Sequence, residues 1–152
     1  AVNPLLDEPS LMMSTTCEKI ENLADVFNPN VVKVVINSQG NALYFSRAPI
    51  AFARFACLGE QSFEPAKMLE AMKNQPNELG EYFKHTGLYV YRRKFLLEFT
   101  TWPRSPLETQ ESLEQLRALE KGYSIRVLKV TAKSIGIDTM TDLLNAKKVL
   151  EN

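Results

Sequence analysis

The sequence predicts an α/β domain built on a mixed β-sheet. Short apolar or β-branched runs alternate along the chain with helix-like segments, and two of these runs lie close enough to form a hairpin. The 152 residues are sufficient for one domain with its own core. Apolar residues make up 45% of the chain and charged residues 24%, which excludes a disordered or membrane-embedded protein.

The first part of the chain predicts three strands and one short helix. A buried strand is expected over 11–17, where a mostly apolar and β-prone run follows a Pro-Ser pair. Asn22 caps a short helix through Phe27, and the Asn-Pro-Asn sequence that follows stops it. The runs 31–36 and 42–46 flank a five-residue segment that contains glycine, which predicts a hairpin.

The middle of the chain is harder to assign. Residues 48–84 are predicted to form an irregular insertion with two helical pieces, at 65–73 and 78–83. A strong strand is expected over 87–92, because aromatic residues occupy alternate positions there. Residues 94–101 predict a short helix that a Trp-Pro pair ends.

The clearest helical pattern covers 106–121. Ser105 stands before it with a glutamate three positions later, which is the capping-box pattern, and Gly122 supplies a left-handed residue at the other end. The alternation over 124–130 predicts another strand, and a final helix is expected over 139–150.

Charge and cysteine content narrow the function classes. Lysine and arginine balance aspartate and glutamate at 18 each, so the basic excess of a nucleic-acid-binding protein is absent. No apolar run approaches the about 20 residues of a membrane span. Cys17 and Cys57 lie 40 positions apart without a metal-binding spacing, which favours reduced cysteines in a cytoplasmic protein.

The residues alone leave the chemistry open. The sequence contains neither a phosphate-binding glycine loop nor a nucleophile elbow. His85, the single histidine, fits a structural role as well as a catalytic one, and Tyr89 fits strand packing as well as ligand binding. Glu114 and Gln115 flank the leucine stripe of the predicted helix. Side chains at these positions are consistent with the wall of a cleft and equally with a solvated helix face. Asp138 fits an N-cap or a ligand for a hard cation.

Six segments, in the same order along the chain, resemble 3-deoxy-D-manno-octulosonate (Kdo) cytidylyltransferase, also called CMP-Kdo synthetase. The patterns HxGxYxYR, SPLE, ESLEQLR and GxDTxxDL are the most specific of them. The segments cover residues 27–35, 42–47, 85–92, 102–108, 111–117 and 136–139. The resemblance implies a nucleotide-diphospho-sugar transferase-like, Rossmann-like mixed sheet.

Two departures from the family pattern qualify the match. The family's phosphate-binding N-terminal elements do not occur here, so we expect this chain to be the C-terminal part of a single nucleotidyltransferase domain. The sequence Ala-Phe-Ala-Arg at 51–54 also differs from the family's usual pattern, which leaves the role of Arg54 open.

The resemblance also implies a reaction and a site. CMP would pass from CTP to Kdo with release of pyrophosphate, for lipopolysaccharide biosynthesis, in a Mg²⁺-dependent homodimer. Two interpretations of Arg47 remain open: it contacts the sugar carboxylate or the phosphates, or it forms an ordinary salt bridge. The implied site residues are Asp138 for metal binding and catalysis, and His85, Tyr89, Glu114, Gln115 and Arg47 for Kdo.

Two other functions remain open at this stage. One is a non-catalytic sugar-binding or dimerisation module, and the other is an enzyme similar to CMP-sialate synthetase, which handles another acidic sugar. The expected N-terminal region would carry the phosphate cradle and a second metal carboxylate. We therefore expect these 152 residues alone to be inactive.

Overall fold

The structure is a computed structural model that describes residues 1–57, 64–75 and 80–131, together with 140, 143–144 and 147–148. These ranges hold one mixed β-sheet with short helices around it. The helix predicted over 139–150 falls largely outside the described residues. In the ranges that are described, no helix is both long and apolar enough to cross a membrane.

Five strands form the sheet, and each lies at a predicted strand. They are β1 (Met13–Lys19), β2 (Lys33–Ile36), β3 (Ala42–Ser46), β4 (Phe83–Tyr91) and β5 (Ile125–Lys129). Their spatial order is β3-β2-β4-β1-β5. β1 and β5 are parallel and the other neighbours are antiparallel, which confirms the α/β class with a mixed sheet.

The helices are short. They are α1 (Asn3–Asp7), α2 (Ala24–Phe27), α3 (Pro65–Asn74), α4 (Arg93–Phe99), α5 (Pro106–Glu111) and α6 (Leu116–Glu120). α2, α3 and α4 confirm three predicted helices. The single helix predicted over 106–121 is wrong, because α5 and α6 are separate and join through a turn.

The main core lies between the sheet and the segment from α4 to α6. Phe95 and Phe99 of α4 and Leu116 of α6 are almost fully buried against Met13 of β1 and Ile125 of β5. Burial of one such side chain contributes roughly 1.5–3 kcal/mol. This core therefore holds the helical segment against one face of the sheet, and that face carries the candidate site.

A second, smaller core explains part of the segment over 48–84. Met68 and Met72 of α3 are buried against Val26 and Tyr82. The helix predicted over 78–83 is wrong where the structure describes it, because residues 80–82 are not helical and Phe83 already belongs to β4. The backbone there instead extends the pairing of β1 with β4.

A bulge in the pairing of β1 with β4 sets which side chains face the core. Thr15 lies opposite Tyr89 and Cys17 opposite His85, so one β1 residue faces three residues of β4. Gly87, within the bulge, adopts a φ of 77°, which a residue without Cβ tolerates best. His85 and Tyr89, four positions apart on β4, keep the same face of the sheet across this bulge.

Candidate functional site

The floor of the candidate site is a row of aromatic rings on β4. The rings of His85 and Tyr89 have centroids 5.0 Å apart, and Tyr91 follows 5.7 Å beyond Tyr89. Phe45 of β3 meets the other side of His85 edge-on at 5.1 Å. These contacts hold the predicted sugar-contacting residues His85 and Tyr89 side by side.

His85 and Tyr89, the two predicted Kdo residues of this row, are neutral near pH 7. Burial lowers the pKa of His85 to about 4, so its imidazole is uncharged. Burial, followed by the neighbouring Tyr91 and Glu114, raises the pKa of Tyr89, so its phenol keeps its proton. The row therefore offers neutral hydrogen-bonding groups suited to hydroxyls rather than fixed charges.

The opposite wall is the turn between α5 and α6. The capping box of Ser105 and Glu108 forms as predicted, with both reciprocal hydrogen bonds. Ser112 then adopts a left-handed conformation, with φ of 53°, and ends α5. Glu114 and Gln115 lie in the turn that follows.

An ion pair explains why the helix breaks. Arg117 donates to both carboxylate oxygens of Glu108, at 2.7 and 2.6 Å, and both side chains are nearly buried. Nine positions along a continuous helix would separate the two residues by roughly 13.5 Å of axis. The turn brings α6 back beside α5 and closes this pair.

Glu114 and Gln115 differ in their surroundings. Glu114 is exposed, and its carboxylate lies close enough to Tyr91 to contribute, after burial, to raising the pKa of that phenol to about 12. Gln115 is only 3% exposed, and its Nε2 group has no hydrogen-bond partner among the described residues. A buried donor without a partner is costly, so this amide is a candidate ligand contact.

A cavity of about 390 Å³ opens beside the turn, and Glu114 is the one predicted Kdo residue on its wall. The other lining residues are Arg104, Glu108, Thr109, Ser112 and Arg117. A second cavity, of about 500 Å³, lies between β2, β5 and the segment around Tyr82. Its lining includes none of the predicted site residues that the structure describes.

Arg47 lies beside the same turn, but its guanidinium contacts backbone. It donates to the carbonyl oxygens of Glu111 at 2.8 Å, Pro29 at 2.9 Å and Ser112 at 3.5 Å. Across the described residues it forms no salt bridge with a carboxylate. Of the interpretations weighed for Arg47, sugar or phosphate binding stays a prediction, and the contacts present tie β3 to the end of α5.

Lys33 is a buried group that the sequence did not single out. Its Nζ donates to the carbonyl oxygens of Asn28, Val31 and Arg47, at 2.9, 2.6 and 2.6 Å. Burial lowers the pKa of this amine to about 8. In the sequence, Lys33 is one polar residue within a β-rich run, and nothing in that pattern indicates that its amine is buried. In the structure, its hydrogen bonds anchor the backbone around Arg47.

The predicted metal residue, Asp138, lies outside the described residues. In the part of the chain that is described, no group of three or more histidine, cysteine, aspartate or glutamate side chains could hold a metal ion. Mg²⁺ is commonly held by one or two carboxylates together with substrate phosphates and waters, so the metal role of Asp138 stays a prediction.

Comparison with known proteins identifies the family. The family model described as cytidylyltransferase matches residues 1–129, which is most of the chain. The chain belongs to the cytidylyltransferase family. A protein named 3-deoxy-manno-octulosonate cytidylyltransferase from Pelobacter propionicus is 49% identical over 97% of this chain, and one of the same name from Geobacter sulfurreducens is 46% identical over 99%.

A solved structure extends the comparison to the fold. It is described as CMP:2-keto-3-deoxy-manno-octonic acid synthetase complexed with CTP, and it is 33% identical with a TM-score of 0.76 over 99% of this chain. This similarity confirms the predicted nucleotide-diphospho-sugar transferase-like fold. The chain spans about half the length of the proteins it matches, with 54% and 55% of the two relatives and 53% of the solved chain covered.

The ion pair of Glu108 and Arg117 leads to a pH-dependent prediction. Arg117 holds the pKa of Glu108 below its usual value through their hydrogen bonds. We expect Glu108→Gln to lower the free energy of unfolding at pH 7 by about 3–5 kcal/mol, because it leaves a nearly buried guanidinium unpaired. Urea unfolding of both proteins measures this difference.

The sign of the pH effect follows from the direction of that shift. The wild-type advantage is complete above the usual glutamate pKa of about 4.3 and disappears as the pH falls through the lower, folded-state pKa. The difference from Glu108→Gln should therefore shrink at acid pH. Glu98→Gln, at an exposed position of α4, is the control and is expected to be neutral. An advantage of the same size at pH 3 and pH 7 would contradict this account.

Proposed function

We propose that this chain supplies the acidic-sugar site of a Kdo cytidylyltransferase. In that reaction the anomeric oxygen of Kdo bonds to the α-phosphorus of CTP and loses its proton. The bond from that phosphorus to the pyrophosphate oxygen breaks, which gives CMP-Kdo and pyrophosphate. The family, the names of the relatives and the CTP-bound solved structure support the proposal.

The orphaned amide of Gln115 carries the sugar part of the proposal. A buried N–H group without a partner costs about 1–3 kcal/mol, and an oxygen of a bound sugar would satisfy it. The exposed carboxylate of Glu114 belongs to the neighbouring residue and can accept hydrogen bonds from two hydroxyls. A polyhydroxylated sugar between this turn and the ring of Tyr89 meets both kinds of group.

The other predicted Kdo residues are also assigned roles in the proposed sugar site. Neutral His85 and protonated Tyr89 bind hydroxyl groups, because neither carries charge at pH 7. Arg47 positions the turn through the carbonyl oxygens of Glu111, Pro29 and Ser112, and it is proposed to reach the sugar carboxylate or the phosphates with its other N–H groups. These contacts use three of the five N–H groups of the guanidinium, so contact between Arg47 and the sugar carboxylate does not require them to break.

Magnesium is proposed on the basis of the family resemblance. When bound, Mg²⁺ neutralises charge on the triphosphate oxygens. From this chain only Asp138 is proposed as its ligand, because the described residues hold no cluster of candidate ligands. The sugar site and the metal site are thus assigned to different parts of the chain.

The cellular setting remains a proposal as well. The product CMP-Kdo is an activated sugar for lipopolysaccharide biosynthesis, and we place the enzyme in the cytoplasm with its nucleotide substrate. A homodimer is supported by large exposed apolar side chains, among them Leu43, Leu88 and Leu97, at 58%, 57% and 55% exposure.

A sugar-binding module without activity of its own is the second candidate. The chain spans about half of its relatives, and its described residues hold no metal cluster, while the proposed Kdo residues are all within it. The two candidates agree on the sugar site. They differ only in whether the chain transfers CMP when the rest of the enzyme is present.

The sugar site is tested by Gln115→Leu. We expect the dissociation constant for Kdo to rise at least tenfold, about 1.4 kcal/mol, because a sugar oxygen loses its donor. The free energy of unfolding should not fall, since leucine fills the buried space without an unpaired amide. Isothermal titration with Kdo and urea unfolding measure the two effects.

Gln110→Leu is the matched control, because Gln110 is exposed on α5 near the same turn. It should leave the affinity for Kdo within twofold of wild type. Unchanged Kdo binding in Gln115→Leu would remove the amide from the site. A large loss of stability in that variant would show that Gln115 is satisfied within the protein.

The catalytic part of the proposal is tested by complementation. We expect the 152-residue chain alone to make no CMP-Kdo from CTP, Mg²⁺ and Kdo. Activity should return when the segment of the Pelobacter propionicus relative that this chain does not match is supplied. Within that complex, Asp138→Asn should lower kcat more than tenfold, about 1.4 kcal/mol of barrier, with little change in Kdo affinity.

The control for Asp138→Asn is Asp25→Asn, which changes an acid in the first turn of α2. Retained turnover in Asp138→Asn would reject the metal assignment. A complemented complex that binds Kdo but forms no CMP-Kdo would favour the non-catalytic module.

A further inference from the structure

Thr15 lies behind the candidate site, fully buried on β1 opposite Tyr89. Its hydroxyl has two partners. Oγ1 lies 2.8 Å from Nε2 of His85 and 2.7 Å from the carbonyl oxygen of Leu88. No part of the proposed chemistry requires a buried threonine at this position, so these two contacts need their own explanation.

The protons of this triad can be assigned from the chemistry of the groups. A carbonyl oxygen only accepts, so the single proton of the Thr15 hydroxyl goes to Leu88. The contact between Thr15 and His85 then requires Nε2 to be the donor. A neutral imidazole with a proton on Nε2 has a lone pair on Nδ1, which makes Nδ1 an acceptor.

The bulge between β1 and β4 makes this arrangement possible. Between the pairs Thr15–Tyr89 and Cys17–His85, β4 contains three residues where β1 has one. The left-handed Gly87 distorts β4 locally, and the carbonyl of Leu88 next to it accepts a hydrogen bond from the side chain of Thr15. A regular antiparallel pair would not place this acceptor beside Thr15.

The outward nitrogen of His85 is left for a ligand. Within the described part of the chain, Nδ1 of His85 has no hydrogen-bond partner, and it is not among the fully buried polar atoms that lack one. It is therefore both unpaired and accessible. A group that binds there must donate a hydrogen bond, as a hydroxyl does and a carboxylate does not.

We infer that Thr15 is a positioning residue that fixes His85 as a hydrogen-bond acceptor for a hydroxyl of the sugar. The inference rests on the proposed function for the identity of the sugar, but the state of the imidazole does not depend on it. It also restricts the orientation of the ligand, because the carboxylate of Kdo must lie away from His85. Specificity at this point of the site is for a hydroxyl donor.

The state of the imidazole can be read directly, because His85 is the only histidine in the chain. Histidine labelled with ¹⁵N gives one long-range ¹H–¹⁵N pattern in the 152-residue chain. At pH 7 we expect a protonated Nε2 and an unprotonated Nδ1. A protonated Nδ1, or a mixture of the two tautomers, would overturn the inference.

Addition of Kdo tests the second part. The Nδ1 resonance should shift as this nitrogen accepts a hydrogen bond from a sugar hydroxyl, while Nε2 keeps its proton. Kdo binding that leaves Nδ1 unmoved would overturn the inference and leave the proposed function intact. Absence of Kdo binding would overturn the proposed function and the sugar's role here, whereas the spectrum of the free protein still decides the tautomer.

Variants separate positioning from mere packing. We expect Thr15→Val to lose the single tautomer and to weaken Kdo binding about tenfold, because the valine cannot accept from Nε2. Thr15→Ser should restore both readouts. Thr16→Val is the control, since Thr16 is a buried neighbour whose hydroxyl pairs with that of Thr86 instead.

A folded Thr15→Val protein with the wild-type tautomer and Kdo affinity within twofold would overturn the role of Thr15. If Thr15→Val does not fold, Thr15→Ser takes its place. A Thr15→Ser protein that folds without a protonated Nε2 on His85 would then overturn the inference, because serine keeps the hydroxyl that accepts from Nε2.

Discussion

The irregular pairing of β1 with β4 is the constraint on which the site depends. β4 lies between β2 and β1 in the sheet, so its register decides which side chains face the helices. His85 and Tyr89, four positions apart, share one face as in any extended strand, and the bulge around Gly87 keeps them there because β4 has two more residues than β1 between the paired positions. It also frees the carbonyl of Leu88 for Thr15, which couples the fold of the sheet to the protonation of His85.

The second wall of the site, the turn between α5 and α6, depends on a buried ion pair. The buried pair of Glu108 and Arg117 holds α6 against α5, and the left-handed Ser112 permits the reversal between them. This turn holds Glu114 near Tyr89 and Tyr91, and it buries an amide of Gln115 that is unpaired within the described part of the chain. A site that leaves one donor unsatisfied while it holds its other groups rigidly is organised for a polar ligand.

The sequence predicted the sheet better than it predicted the site. All five strands were evident because alternation and turn residues are local signals, and the capping box at Ser105 was evident for the same reason. The break after α5 was not evident in the sequence. It depends on the ion pair of Glu108 and Arg117, nine residues apart, which the leucine periodicity does not reveal. Of the residues that resemble the family's sugar contacts, His85 and Tyr89 share one face of the sheet and Glu114 lies near Tyr89, whereas the hydrogen bonds of Thr15 need the bulge, which no local pattern reveals.

The central claim is that an acidic sugar binds between the aromatic row and the turn, and a crystal structure of the chain with Kdo tests it most directly. The account predicts a sugar oxygen within hydrogen-bond distance of Gln115 Nε2 and a sugar hydroxyl on Glu114. It also places the carboxylate of the sugar away from His85. Kdo bound elsewhere, for example in the cavity between β2 and Tyr82, or a Gln115 amide paired within the protein, would contradict it.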